Sequence, residues 1–458
     1  MTRTVDLTNP SFYQGLLSEP CLDINADGAL PVRFPLANAN LAHPELMEQL
    51  MQPSGVSLSF NTDARVCRLR YRWATEGLAC CSKRDFPPAG AVMPPATKPL
   101  WDVASFDLLV DGVLFDRQTN DPPIKGQSGD DMFMPTMQKP INDFSYVFQN
   151  YGALHEKIKA IPEEKWGHYA AGEIVFKQLP AGYKRLDLYL PEKSSLRLCS
   201  LNLEGAAGIN AIDDSRPLLV TYGSSITQGM PFANGPSSVW PVVAARAADV
   251  RVVNLGVGGQ CHFDQVMARL ISKAPAACFA FELGINVHNM CSMNMRTFAE
   301  AAMGFILTVR DGHPKTPICV ISPIWGGFRE EQGWDTDIGF GAFKAKCPSL
   351  TEMRDLLKKM VELLRSRGDE NLHLVDGLNL ADEDVRMSMP DDLHPNGNGY
   401  EKIGIRFAEL AFGPKGLLIP GRFHSQVGKN GNSCNHNEKQ DHEVAMPAVG
   451  VPCFCTLQ

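Results

Sequence analysis

The chain reads as an α/β protein in which a parallel sheet with helices on its faces follows an antiparallel β-sandwich, and three observations predict it. Up to about residue 205 apolar and polar residues alternate. From about residue 216 short apolar runs alternate with longer helical periods, and proline- and glycine-rich connections cut the first half into short strands. At 458 residues the chain exceeds what one core usually organises. Two domains are therefore expected, at residues 1–210 and 211–420, with a tail at 421–458.

In CRLRYRW, residues Cys67, Leu69, Tyr71 and Trp73 share one face and Arg68, Arg70 and Arg72 the other, as a half-buried strand requires. FDLLVDGVLF places Asp111-Gly112 between two apolar runs, the signature of a tight hairpin. RLDLYL sets Leu186, Leu188 and Leu190 against Asp187 and Tyr189, and connections such as FPPAGAVMPPATKP separate strands of this kind. Together they argue for a sandwich.

In the second half LLVTY, RVVNL, ACFAFEL, PICVISPI and NLHLVD are the candidate strands. Between them lie helical periods in VWPVVAARAAD, FDQVMARLISK, MRTFAEAAMGFILTVRD and SLTEMRDLLKKMVELLRSRG, and NGYEKIGIRFAELAF follows the last strand. Sheets of this type bind ligands at the carboxyl ends of their strands, so chemistry is expected in the loops there. The tail GRFHSQVGKNGNSCNHNEKQDHEVAMP has low hydrophobicity and no period, and disorder is expected.

The net charge of -8 and the lack of any lysine or arginine block argue against a nucleic-acid partner. The segment MTRTVDLTNPSFYQGLL lacks a sustained apolar core, and nowhere do about 18 apolar residues run together. A soluble, cytoplasmic protein with no membrane partner is expected. The 13 cysteines are odd in number and several lie in apolar runs, as Cys278 and Cys319 do, which suits small buried hydrophobes in a reducing compartment. The pair Cys80-Cys81 and the cluster Cys434, His436, His442, Cys453 and Cys455 match no zinc spacing, so no metal is expected.

The strand-end loops carry polar groups in a telling order. VTYGSSITQG brings Ser224 and Ser225, NLGVGGQ brings Gly256, Gly258 and Gly259, ELGINVHN brings Asn286, and MPDDLHPNGNGY brings Asp391, Asp392 and His394. Acyl transfer needs such a set: a hydroxyl nucleophile, a base, an acid to orient the base, and donors for the oxyanion. Each group also has a plain structural use. The serines and Asn286 could cap helices, the glycines could permit tight turns, and His394 could precede a helix begun by Pro395.

YGSSITQG, NLGVGG, LGIN and DDLH resemble, in order, the four blocks of the SGNH or GDSL hydrolases, over residues 216–412. The resemblance implies a flavodoxin-like three-layer α/β/α domain with Ser225 as nucleophile, His394 as base and Asp391 as orienting acid. The oxyanion donors implied are the Ser225 and Gly259 backbone N–H groups and the Asn286 amide, with no cofactor. The first half is similar to the N-terminal β-sandwich domain of a two-domain subgroup. Two departures stand out: Ser224 and Val287 occupy positions where many members carry aspartate. Ser224, Gly258 and Asp392 remain competitors for three of the roles.

The activity implied is hydrolysis of a carboxylic ester, such as an acetyl or short acyl ester of a carbohydrate or small metabolite, through an acyl-serine. The alternatives are an acyltransferase with the same triad and a non-catalytic carbohydrate-binding relic. The long connection WGGFREEQGWDTDIGFGAFKAKCP, with Trp325, Phe328, Trp334, Phe340 and Phe343, is a candidate lid or binding wall.

Overall fold

The computed structural model describes residues 1–17, 21–25, 28–73, 104–120, 170–340 and 343–423. The pair Cys80-Cys81, the proline-rich connection after it, the Cys/His cluster and the tail beyond residue 423 lie outside the described residues.

The first half is a sandwich of two antiparallel sheets. One places Val66–Trp73 between Leu196–Glu204 and Ala170–Phe176. The other places Lys184–Tyr189 between Ser57–Thr62 and Ala104–Val110. The predicted alternation holds: Cys67, Leu69 and Tyr71 point into a core with Phe60, Phe106, Leu186 and Leu188, while Arg68 and Arg70 pair with Glu173 at 2.6 Å on the outer face. Asp111 and Gly112 adopt φ of 49° and 81° between the paired strands Ala104–Val110 and Val113–Asn120. A two-residue turn with both central φ positive follows the twist of its strands, which is why an Asp-Gly pair sits there.

The second half is a three-layer α/β/α domain. Its parallel strands are β1 (Leu218–Gly223), β2 (Arg251–Gly256), β3 (Cys278–Glu282), β4 (Ile318–Ile321) and β5 (Leu372–Val375). They run in the flavodoxin-like order β2-β1-β3-β4-β5. Every residue of β1 and β3 is buried, as strands covered on both faces must be. The expected helices form at Trp240–Ala247, Gln265–Ile271, Met295–Gly312, Leu350–Ser366 and Gly397–Phe412. Helix Leu350–Ser366 starts with a capping box in which Ser349 and Glu352 satisfy each other's backbone N–H.

Two features depart from the expected pattern. Residues between the early strands are not sheet: they form a 3₁₀ segment Leu36–Leu41 and a helix Pro44–Leu50. Val32, Phe34, Leu46, Met47 and Leu50 join the α/β core, not the sandwich core. The long aromatic connection is a hairpin, Trp334–Phe340 paired with Phe343–Cys347, preceded by a 3₁₀ turn at Gly327–Glu330. Trp325 and Trp334 are partly buried against the α/β core and Phe328 is 44% exposed, whereas the side chains of Phe340 and Phe343 lie outside those described. No helix among the described residues is long and apolar enough to cross a membrane.

Candidate active site

Strand β1 delivers Gly223 into a single helical turn, Ser225–Gln228, that ends at Gly229 with φ of 95°. Ser224 is its N-cap. The Ser224 hydroxyl accepts from the Ile226 N–H at 3.1 Å and donates to Glu282 Oε2 at 2.6 Å, so it is fully buried and occupied. Ser225, one residue on, turns the other way and its Oγ lies 2.8 Å from His394 Nε2. Position 223 has to be glycine, because a Cβ there would stand 2.3 Å from Thr227 Oγ1 and 2.8 Å from Glu282 Oε2.

His394 does not serve the helix that follows it. Asn396 is the N-cap of helix Gly397–Phe412, accepting from the Gly399 N–H at 2.9 Å, so Pro395 precedes the cap instead of opening the helix. The Asp391 Oδ2 meets His394 Nδ1 at 2.6 Å, and Oδ1 accepts the His394 and Leu393 N–H groups at 2.7 and 3.2 Å. Burial pushes the Asp391 carboxyl up, but these hydrogen bonds and the imidazole outweigh it and hold its pKa below the ordinary value. With Nδ1 donating to a carboxylate, Nε2 is left as the acceptor for the Ser225 hydroxyl. Asp392 sits in the left-handed region, φ 56°, with its Cβ against Gly327 on the other side of the turn.

The block after β2 is packed at close quarters. A Cβ on Gly256 would lie 2.3 Å from the Gln228 backbone nitrogen. The Gly258 N–H donates to Gln228 Oε1 at 2.7 Å, which commits that glycine to the scaffold, and Gly259 follows with φ of 69°. Asn286 stands in the short helix Ile285–Met290, buried at 3% exposure. Its Oδ1 accepts the Cys261 N–H at 3.0 Å, an arrangement that leaves the Nδ2 hydrogens for another acceptor.

Four groups around these residues were not singled out by sequence. The Arg33 guanidinium, fully buried, donates to the Asn254 and Gly256 carbonyls at 2.8 and 2.7 Å and to the Gln49 and Gln52 carbonyls at 2.6 Å each. Burial pulls its pKa down to about 9. Ser54 Oγ donates to the Gln228 carbonyl at 2.6 Å and accepts from Asn254 Nδ2 at 2.9 Å. Glu282 Oε2 also accepts the Ser224 N–H at 2.8 Å and Thr227 Oγ1 at 3.2 Å, and burial raises the pKa of this carboxyl. The Phe232 ring meets the His394 ring edge to face, with centroids 6.3 Å apart. Only Arg33 and Glu282 left a trace in the sequence, as lone charges in the apolar runs LPVRFPL and ACFAFEL. Among the described residues no group of three His, Cys, Asp or Glu side chains gathers as a metal site.

Residues 216–410 match the model of the GDSL-like lipase/acylhydrolase family. A solved salicylyl-acyltransferase from a tetracycline biosynthetic pathway is 25% identical with a TM-score of 0.64, over 88% of this chain and 95% of that one. A Bacteroides ovatus protein assigned as a GDSL-like lipase is 17% identical with a TM-score of 0.58, over the same shares, 88% and 95%. An active-site mutant of a family two carbohydrate esterase from Clostridium thermocellum, 12% identical, aligns with a TM-score of 0.52 over 87% of this chain and 96% of that one. The last two likenesses carry the fold alone. No curated protein sequence matches the chain. Residues 216–410, set behind a β-sandwich, are thus a GDSL-like lipase/acylhydrolase domain.

Proposed function

We propose that Ser225 cleaves a carboxylic ester through an acyl-serine intermediate, with His394 as base and Asp391 as the acid that orients it. The observation that carries this reading is the continuous hydrogen-bonded line from Ser225 Oγ through both ring nitrogens of His394 to Asp391, at 2.8 and 2.6 Å. His394 takes the serine proton as Oγ attacks the carbonyl carbon, and Asp391 stabilises the imidazolium that results. The Ser225 and Gly259 N–H groups and the Asn286 amide receive the oxyanion; loss of one such donor typically costs about 3 to 4 kcal/mol of transition-state stabilisation. His394 returns the proton to the leaving alcohol, and water then releases the acid by the same steps.

The substrate class we favour is an acetyl or short acyl ester of a carbohydrate or small metabolite. In this reading residues 211–420 carry the chemistry and residues 1–210 border the cleft. Transfer of the acyl group to an alcohol is the second reading, and the 25% identity to a salicylyl-acyltransferase over most of both chains favours it. Labelling with a fluorophosphonate probe tests the serine. Ser225→Ala should abolish labelling and turnover, while Ser224→Ala should weaken but keep both; labelling that depends on Ser224 alone would overturn the assignment. Product analysis with an acyl ester panel, with and without an added alcohol, separates hydrolysis from transfer.

A further inference from the structure

We propose that Phe232 selects the alcohol side of the substrate, both the alcohol that leaves on acylation and the acceptor that attacks the acyl-serine. The proposal rests on the Ser225–His394 reading above. A base that draws the proton from the serine must hand it to the departing alkoxide, so the alcohol oxygen has to come within hydrogen-bond reach of His394 Nε2. A side chain packed against that imidazole therefore lies close to the alcohol. The oxyanion points elsewhere, towards Gly259 and Asn286. Phe232 is half-buried and meets the imidazole edge to face, the rings 6.3 Å apart at 72°.

The segment that carries the ring is held in place. The N–H groups of Gly229 and Met230 both donate to the Ser225 carbonyl, at 2.8 and 2.9 Å, which ties the start of its segment to the nucleophile. The Tyr400 hydroxyl donates to the Met230 carbonyl at 2.6 Å, and Lys193 Nζ, from the sandwich half, donates to the Pro231 carbonyl at 3.3 Å. A phenyl ring fixed in this way has no hydrogen bond to give to water. It has an apolar face to give to carbon. The alcohol it suits has a flat apolar surface of ring size, an aryl alcohol or the C–H face of a pyranose.

The same geometry governs deacylation. The acceptor oxygen bonds to the acyl carbon as its proton passes to His394 Nε2, the carbon–Oγ bond of the acyl-serine breaks, and Ser225 Oγ takes the proton back. Water can follow this path as well, and a ring-faced alcohol that displaces it from beside Phe232 turns hydrolysis into transfer.

Two ester series measured on the wild type, Phe232→Ala, Phe232→Leu and Ser225→Ala test the proposal, with rates counted per phosphonate-titrated site for the three proteins that keep Ser225, so that misfolded protein drops out, and per mole of folded protein for Ser225→Ala. In one series the acyl group is acetyl and the alcohol runs from ethyl to phenyl to pyranosyl; in the other the alcohol is ethyl and the acyl group runs from acetyl to octanoyl. Phe232→Ala should lower kcat/KM for the phenyl or the pyranosyl acetate about tenfold more than for ethyl acetate, the scale of losing an aromatic anchor. Phe232→Leu should fall between, and the rank order of the acyl series should not change. Which of the two acetates responds tells aryl from sugar. Uniform losses in both series, or a changed rank in the acyl series alone, would overturn the proposal. Turnover retained by Ser225→Ala would overturn the underlying serine reading instead, whatever Phe232 does.

Discussion

The sandwich sheets and the parallel sheet bury their strands differently, and the difference decides where each half can act. In strand Leu196–Glu204, Leu201 and Leu203 are buried while Asn202 and Glu204 keep contact with solvent; in β1 all six residues are buried. A sheet covered on both faces has no room for chemistry along its strands, so polar groups collect at its carboxyl edge, as Ser225, Gly259 and Asn286 do. A sheet with one wet face spreads its charges along that face, as Arg68, Arg70 and Glu173 show. What the first half gives to the site therefore comes from between its strands: Arg33, Gln52 and Ser54 reach the loops after β1 and β2.

If the chemistry is confined to the second half, its largest single dependence after the nucleophile should be on the acid that holds His394. Asp391→Asn keeps the shape but removes the carboxylate that fixes the tautomer, and turnover should fall by about 10³ to 10⁴. Asp392→Asn should stay near wild type, since asparagine accepts the left-handed backbone at that position and the side chain makes no bond to the base. Steady-state rates on one ester, normalised by site titration, separate the two. Equal losses would mean that the base is oriented from elsewhere and would break the confinement of the chemistry to the second-half triad.

The five parallel strands and their helices were legible because a doubly covered sheet writes continuous apolar runs and amphipathic helices write a 3.6 period. The blocks at the strand ends were legible for the same reason, since their positions follow from the strands. Which of Ser224 and Ser225 meets His394 was not. It depends on Glu282, 58 residues away in sequence, whose carboxyl claims the Ser224 hydroxyl. Likewise it is Gln228 that takes the Gly258 N–H, and it is the Asp391 carboxylate that meets His394 Nδ1. The helix Pro44–Leu50 and the hairpin after Trp334 escaped because both are short, and because residues 32–50 answer to the core they join and not to the alternation around them. Phe232 has no pattern of its own; only the fold brings it to His394.

The reach of the first half into the site can be broken at one residue. Arg33→Met would keep much of the volume but leave the carbonyls of Gln49, Gln52, Asn254 and Gly256 without their guanidinium donor, and a buried acceptor left unpaired costs about 1 to 3 kcal/mol. Stability in urea should drop by at least about 3 kcal/mol, and phosphonate labelling of the folded fraction should slow by about tenfold because the loop bearing Gly259 loses its anchor. Arg33→Lys should recover part of both. A chain starting at Ala211 loses the same anchor together with Leu46, Met47 and Leu50 from the α/β core, and is expected to be less stable still. Arg33→Met with wild-type stability and labelling would show that the second half holds its own oxyanion loop.

The smallest effect sharpens the comparison from the other side, because the turn after β1 is held from within the second half by a carboxyl, whereas the end of β2 is held from the first by a cation. Glu282 is buried, its Oε2 accepts from Ser224 twice and from Thr227, and its Oε1 has no hydrogen-bond partner among the described residues. Burial raises its pKa. A carboxyl whose folded pKa lies above its unfolded value favours the native state most when protonated, so its contribution is present below the unfolded pKa, and is lost as pH rises towards the folded pKa. Each unit of that rise corresponds to about 1.4 kcal/mol. Glu282→Gln keeps an oxygen for the three donors and cannot ionise. The variant should therefore still be labelled at Ser225, while its stability, followed by urea unfolding from mildly acid to neutral pH, should decline less than that of the wild type. A Glu282→Gln protein whose stability falls just as steeply would mean that the carboxyl ionises as readily in the native state as in the unfolded chain. In that case the strand-end loops would be held by two charges, Arg33 at the end of β2 and Glu282 at the turn after β1, and the contrast between them would be one of sign alone.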